Sequence, residues 1–389
     1  MHFKDIIKTE VLILNTLFEH FEVLEDPRDI RGKKHQLINI LIMTIYGILC
    51  GYTDFFNMVD FLTLKEKYFI KLLNLKNGIP SHDCFSRVFA VIDSRKFMDL
   101  FIKWISQIVE YEKGRFLSID GKAVKSATDR VNGGNTPYIV SAFLSEIGIS
   151  VGQVKVNEKS NELTAIPELL DLIDIKNMIV TIDAIGTQES IANKIVDKKG
   201  NYVLKVKDNQ KDLKDDIKTY FDLNNKEENL DIAFYTTYPE KCHGRIESRK
   251  YFLSYDTDII SNKAKWHTVK AIGMIKVYKD INNKQTQEEQ YFILSKKVDL
   301  QTFEEATRSH WNIETGLHWK LDVILDEDHS TSKIGNSIAN LSIARKIVFN
   351  LAKLDNSLGE NLSLKRKLTR YMLDFSNIEN LLFEIIPSI

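Results

Sequence analysis

A mixed α/β protein with a helical N-terminal region is predicted by three features of the sequence. Apolar residues recur every three or four positions from Val11 to about Tyr111. From Arg115 the pattern becomes short runs rich in β-branched and aromatic residues. Helical patterns then alternate with those runs as far as Phe221, which describes a mixed sheet with an antiparallel start.

The helical runs are Leu12 to Phe21, Leu37 to Leu49, Phe55 to Phe61 and Phe97 to Val109. Asp26-Pro27 and Asn77-Gly78-Ile79-Pro80 break them with turn chemistry, and Ser81 is placed to cap a helix through Phe85 and Phe89. Strands are expected at Phe116 to Ile119, Tyr138 to Leu144, Ile149 to Val156, Met178 to Ile182 and Tyr202 to Val206. Helices are expected at Ala165 to Ile173, Glu189 to Val196 and Leu213 to Phe221. Polarity rises from about Asp222, and Asn224 to Asn229 reads as a loop. Strand-like runs follow at Ser248 to Ser254, Thr268 to Tyr278 and Gln290 to Ser295, with no helical pattern between them. Helical spacing resumes at Thr302 and continues through Ile338 to Leu354 and Leu364 to Phe375. The expected division is a helical domain at 1–112, the first part of a mixed α/β core at 113–221, a β-rich insertion at 222–299 and the final helices of that core with a helical tail at 300–389.

Composition narrows the class. The 389 residues are 43% hydrophobic and 28% charged, with only 17 Gly and 6 Pro, so collagen-like and disordered chains are excluded. Lys and Arg total 53 against 54 Asp and Glu, a net charge of -1, so any attraction for phosphates must be local. Cys50, Cys84 and Cys242 are scattered, which argues against disulfide scaffolds and zinc fingers and fits a reducing cytoplasm. Met1 to Thr9 has no apolar core of a signal peptide. The apolar stretch Leu37 to Tyr52 is too short and interrupted to span a membrane, and reads as a buried helix.

Three carboxylates stand out by context. Asp120 follows the apolar strand Phe116 to Ile119, and Asp183 follows Met178 to Ile182. A carboxylate at the end of an apolar strand needs a partner to offset desolvation, and a divalent cation is one. Capping of the following turn is the other. Glu314 lies in a segment where Trp311, Ile313, Leu317, Trp319 and Leu321 would anchor it against the sheet. On a solvated helix it would instead pair with Arg308 or Lys320.

Many ordered phrases resemble the H-repeat-associated group of bacterial insertion-sequence transposases. In the helical region these are Asp26-Pro27-Arg28, Asn77 to Asp83 and Phe85-Ser86-Arg87-Val88-Phe89. Further on they are Ile119-Asp120-Gly121-Lys122, Lys159 to Pro167, Thr181-Ile182-Asp183-Ala184 with Gln188, and Lys207-Asp208-Asn209-Gln210. Gly244 to Arg249 and His310 to Val323 with Glu327-Asp328 complete the set, which spans roughly Asp26 to Asn350. Asp208 stands where the family usually has Gly, and Thr315 where Asn is common. Related transposases carry a Tyr, Arg, Glu, Lys signature around the third acid; His310 holds its Arg position, and no Lys falls at its spacing.

The resemblance implies a ribonuclease H-like catalytic domain with Asp120, Asp183 and Glu314 as its acids. Such a set, without a Cys or His ligand cluster, suits two Mg²⁺ or Mn²⁺ ions about 3.5 to 4 Å apart. No nucleotide cofactor is implied, since no phosphate-cradling glycine motif occurs. The implied activity is cutting the element's ends and joining the 3′ hydroxyl to target DNA, carried out by a homo-oligomer on double-stranded DNA in the cytoplasm at the nucleoid. Lys122, Lys125, Lys205, Lys207, Arg245, Arg249, His310, Lys320, Arg345 and Lys346 are candidate DNA contacts. Ser81 to Phe89 is a candidate recognition helix, with His82, Ser86 and Arg87 outward and Phe85, Val88 and Phe89 buried. Two rivals are a ribonuclease H-like nuclease without strand transfer and an inactive DNA-binding descendant.

Overall fold

A computed structural model describes residues 15–109, 116–128, 136–156, 162–224, 231–242, 245–281, 284–330, 332–359 and 361–383. The expected loop at 225–229, the phrase residues 159–161 and Gly244 lie outside them, as do Met1 to Thr9 and the side chains of Cys242 and Arg245.

The N-terminal region is helical: α1 (Asn15–Glu22), α2 (Leu37–Leu49), α3 (Phe55–Leu64), α4 (Glu66–Leu73), α5 (His82–Val91) and α6 (Ser94–Ile108). Then come β1 (Phe116–Ala123), β2 (Tyr138–Leu144), β3 (Ile149–Val156), α7 (Glu162–Leu172), β4 (Ile179–Ile182), α8 (Glu189–Asp197), β5 (Asn201–Val206) and α9 (Lys211–Leu223). Strands β6 (Ile232–Thr236), β7 (Glu240–Cys242), β8 (Arg245–Ser254), β9 (Ala271–Ile281) and β10 (Lys284–Leu294) follow. The chain ends in α10 (Leu300–Ile313), α11 (Trp319–Val323), α12 (Ser337–Leu354), α13 (Leu364–Leu373) and α14 (Ser376–Phe383). This is the expected mixed α/β fold behind a helical N-terminal region.

Local chemistry explains the helix starts. Side-chain oxygens of Asp54, Ser81 and Asp93 accept backbone N–H groups in the first turns of α3, α5 and α6. Every residue of α2 is buried, as its apolar run predicts. Helix α4 falls outside the expected runs because only Phe69 and Leu73 are buried in it, too few to stand out as a periodic stripe. Among the described residues, no helix is long and apolar enough to cross a membrane.

The chain divides into two compact units. One comprises Met1–Tyr111, Gly121–Ala165 and Glu314–Ile389; the other comprises Glu112–Asp120 and Ile166–Ile313. In the first, β2 and β3 pair antiparallel, and their turn uses Gly148 at φ 78°, a conformation that costs other residues a Cβ clash. Helix α12 is the buried axis of this unit, and several of its polar side chains face inward onto hydrogen-bond partners. Asn340 donates to the carbonyls of Phe89 and Ile92 at 2.8 and 3.0 Å, and Asn350 donates to Ser150 O at 2.7 Å. Such pairing is what lets polar groups occupy a core.

In the second unit the strand order is β1-β4-β5-β10-β9-β8-β6, with β7 on β8. β1, β4 and β5 are parallel, while β10 turns antiparallel against β5. The strands after Asp222 therefore continue this sheet. Helices cover both of its faces. Tyr251 and Phe252 are neighbours on β8 and point oppositely; Tyr251 meets Phe303 of α10, whereas Phe252 meets Phe221 of α9. Gly273 of β9 leaves room for the Phe303 ring, since a Cβ there would lie 2.4 Å from it. Phe303, Phe292, Val203, Ile179 and Phe116 belong to one buried cluster on the α10 face.

Candidate active site

The α10 face of the sheet carries the polar residues that lead to the two aspartates. Ser118 of β1 and Thr181 of β4 are partners in register; Thr181 Oγ1 donates to Ser118 Oγ at 3.1 Å, and Ser118 Oγ donates to Ser309 O of α10, also at 3.1 Å. Two residues further along each extended chain stand Asp120 and Asp183. Side chains on a strand alternate between faces, so both aspartates project on the α10 side. The last formal pair is Ile119 with Ile182, so Asp120 and Asp183 are the next level of the same register. Asp120 is not the end of its strand as expected: β1 continues to Ala123 after β4 has stopped.

Asp183 does cap the turn that follows it. Its Oδ1 accepts the N–H of Ile185 at 2.6 Å, opening the short helical turn Ala184–Gly186. Capping and metal binding are compatible, because the cap uses one carboxylate oxygen and fixes the rotamer of the other. A second turn, Asp208–Gln210, secures the first. Asn209 Nδ2 donates to Ala184 O at 2.7 Å, Gln210 Nε2 donates to Thr187 O at 3.1 Å, and Thr187 Oγ1 donates to Lys205 O at 2.6 Å. The phrase Lys207 to Gln210 pointed here, but its bonds to the Asp183 turn emerge only in three dimensions.

Lys205 is the third member of this level. Its position follows Leu204, the parallel partner of Ile182, so it stands beside Asp183 on β5. Burial lowers its pKa, with a further push from Lys207, while Glu288 and Asp183 act in the opposite sense. It lines a cavity of about 350 Å³ together with Thr181, Arg249, Arg308, His310 and Trp311. His310 Nδ1 lies 3.4 Å from Thr181 Oγ1. Arg249 is bonded to Glu247, and Arg308 to Glu240 at 3.1 Å, so part of the positive charge is already matched.

Glu314 directly follows α10 and opens a five-residue π-helical turn, Glu314–His318, ahead of α11. Single π turns inside helices occur often at functional sites. The anchoring expected around it is only half correct. Ile313, Leu317 and Leu321 are buried, but Trp311 and Trp319 are each 53% exposed.

Aspartate oxygens are hard donors suited to Mg²⁺ or Mn²⁺, which take one or two carboxylates and complete their shell with water and substrate phosphate. Asp120 and Asp183 supply donors of this type. Among the described residues, no three His, Cys, Asp or Glu side chains are gathered to hold a metal by themselves. The register of β1 and β4 puts Asp120 and Asp183 at one level.

Three expected DNA contacts are corrected. Lys122 is largely but not fully buried and is bonded to Asp322 and, at 2.8 Å, to Glu327; these carboxylates raise its pKa against the opposing effect of burial. Arg345 and Lys346 are each 1% exposed. Arg345 donates to Leu325 O at 3.0 Å, and Lys346 donates to Gln153 and to Ser342 Oγ at 3.1 Å. None can reach a phosphate without unpacking. Lys125 and Lys207 are exposed and Lys320 is half-buried. Arg245 belongs to β8 by its backbone. Arg87 is exposed on α5, where Phe85, Val88 and Phe89 face inward as the recognition-helix reading requires. His82 is half-buried and stacks on Phe56 with ring centres 4.1 Å apart.

Residues 18–105 match the family described as DDE_Tnp_1-associated, and residues 112–351 match the Transposase DDE domain. The chain is 35% identical over 358 residues to "Putative transposase YncI" of Escherichia coli O157:H7, covering 91% of each. It is 32% identical over 377 residues to "H repeat-associated putative transposase YhhI" of Escherichia coli strain K12, covering 95% of this chain and 98% of that one. Among solved structures, the piggyBac transposase synaptic complex with hairpin DNA aligns with a TM-score of 0.43 and 13% identity, over 88% of this chain and 72% of that chain.

Proposed function

This chain belongs to the family of the Transposase DDE domain, a class of metal-dependent DNA-cleaving enzymes, and we propose that it cuts the ends of its own insertion-sequence element and joins the freed 3′ hydroxyl to target DNA. The observation that carries the reading is the shared level of Asp120 and Asp183 on adjacent parallel strands, with Lys205 beside them. Glu314 is the proposed third acid on the strength of the phrase from His310 to Val323. A pair of Mg²⁺ or Mn²⁺ ions bound by these carboxylates would stabilise negative charge on the attacking and leaving oxygens of an in-line displacement.

The remaining contributions come from the chain itself. Ile185 N–H holds one oxygen of Asp183 and so orients the carboxylate. Asn209, Gln210 and Thr187 keep that turn from moving, which matters because a displacement of about 1 Å can cost on the order of 10²-fold in rate. Lys205 offers a positive charge at the same level, suited to a phosphodiester oxygen. Arg249, His310, Lys125, Lys207, Arg245 and Arg87 are the proposed contacts with double-stranded DNA, both the terminal repeats and the target, and Lys320 is a proposed contact with DNA. A homo-oligomer holding paired ends is part of the same proposal.

The test incubates the full chain with Mg²⁺, a labelled duplex bearing one element end, and a plasmid target. Joined products are the expected result. Nicks without joining favour the nuclease reading. Binding without either product in Mg²⁺ or Mn²⁺ favours an inactive descendant.

A further inference from the structure

A second cavity, of about 820 Å³, lies within the first unit among α11, the C-terminal half of α12 and the start of α13. Its walls include Lys320, Lys353, Lys365 and Lys367, and among the described residues lining it there is no Asp or Glu. Lys367 is already committed: it is buried and donates to Ala352 O at 2.8 Å and to Asp355 O, the free carbonyls at the end of α12. Lys353 and Lys365 are exposed. The Lys320 ammonium lies 5.7 Å from the centre of the Phe349 ring. Burial and then Lys353 lower the pKa of Lys320, so like charges are crowded without a carboxylate to relieve them.

Beside these amines stand apolar surfaces that solvent does not favour. Trp319 is 53% exposed and Val323 61%, and both line the cavity. Flat aromatic surface next to uncompensated positive charge is the combination that holds a single nucleic-acid strand: phosphates sit on the amines, and an unpaired base stacks on the indole. A duplex cannot use the indole in this way, because its bases are already stacked on one another.

We infer that this cavity binds an unpaired stretch of DNA strand, with phosphates on Lys320, Lys353 and Lys365 and a base against Trp319. The inference rests on the proposed DNA-cutting function for the identity of its ligand. It adds a site that takes no part in the bond-breaking chemistry.

The test is fluorescence anisotropy with a labelled ten-nucleotide oligodeoxynucleotide and the full chain, in EDTA so that cleavage plays no part. Trp319→Ala is expected to weaken binding about tenfold, and Trp319→Phe, which keeps a stacking ring, to stay near wild type. The double variant Lys320→Gln with Lys353→Gln is expected to lower the slope of log affinity against log salt by about 1.4. Circular dichroism verifies that each variant is folded, and all three positions are partly or well exposed. Unchanged affinity and slope in the folded variants would overturn the inference, as would displacement by polyglutamate as effective as by the unlabelled oligonucleotide. Binding that depends on Trp319 in a protein that never cuts DNA supports the site while removing the catalytic reading. Mg²⁺-dependent cleavage with binding indifferent to these substitutions does the reverse.

Discussion

Lys122, Arg345 and Lys346 are packed against carboxylates, carbonyls and amides, whereas Lys320, Lys353 and Lys365 line a cavity whose described walls hold no carboxylate. The two groups have the same formal charge and comparable sequence settings. They differ in what the fold brings to them. Glu327 is 2% exposed, and although burial raises its pKa, Lys122, Lys346 and Arg345 outweigh that and hold it at about 2. In the cavity the neighbours of Lys320 are a ring and another lysine. At these six residues positive charge is thus divided between charge that closes the fold and charge that lines an open cavity.

That comparison can be broken most forcefully at Lys122. Lys122→Met removes the ion-pair partner of the buried Glu327 and leaves only Lys346 and Arg345 to offset its charge, so equilibrium urea unfolding should show a loss of about 3 to 5 kcal/mol. Oligonucleotide affinity of the folded fraction should stay within about twofold of wild type. A stable variant with weakened DNA binding would place Lys122 in the other group.

Acid titration is the next largest effect. The pKa of Glu327 is depressed in the folded state, so its contribution is fully present above the ordinary carboxylate range and is lost as pH falls from about 4.5 towards 2. The size expected is about 3 kcal/mol. Glu327→Gln should lack this part of the pH dependence when unfolding free energies of the two proteins are compared between pH 6 and 2.5, as an order-of-magnitude window set by those pKa values.

Asn209→Ala should have a smaller effect on stability, about 1 kcal/mol by thermal unfolding, because one half-buried amide bond to Ala184 O is lost. Its effect on the cleavage rate should be larger than that figure suggests, since the turn carrying Asp183 loses a fixing bond. The smallest effect is expected at Arg87. It is exposed, so Arg87→Gln should change stability by less than about 0.5 kcal/mol. If its guanidinium neutralises a phosphate, the duplex salt slope should fall by about 0.9.

Sequence patterns carried much of this architecture. Strands β2 and β3 occupy the expected residues from end to end, because runs rich in β-branched and aromatic residues bounded by polar clusters mark where they begin and stop. Ser81 caps α5 through its hydroxyl, as its place before an apolar helical stripe requires. Strand β6 was not legible, since only Ile232 of its five residues is buried and its pairing with β8 is what makes it a strand. The level shared by Asp120 and Asp183 follows from the apolar runs Phe116 to Ile119 and Ile179 to Ile182, which pair in register just ahead of them. Burial of Lys122 could not be read, because Asp322 and Glu327 are some 200 positions away along the chain. Nor could the exposure of Trp311 and Trp319, which depends on which side of α10 and α11 is packed.

The most direct measurement is the Mg²⁺-dependent rate at which the purified protein cleaves a labelled duplex of its element end, compared among wild type, Asp120→Asn and Asp183→Asn. Each substitution preserves shape and removes one negative charge, so the account predicts losses of at least about 10²-fold with DNA binding retained. Cleavage by either folded variant within about twofold of wild type would contradict it.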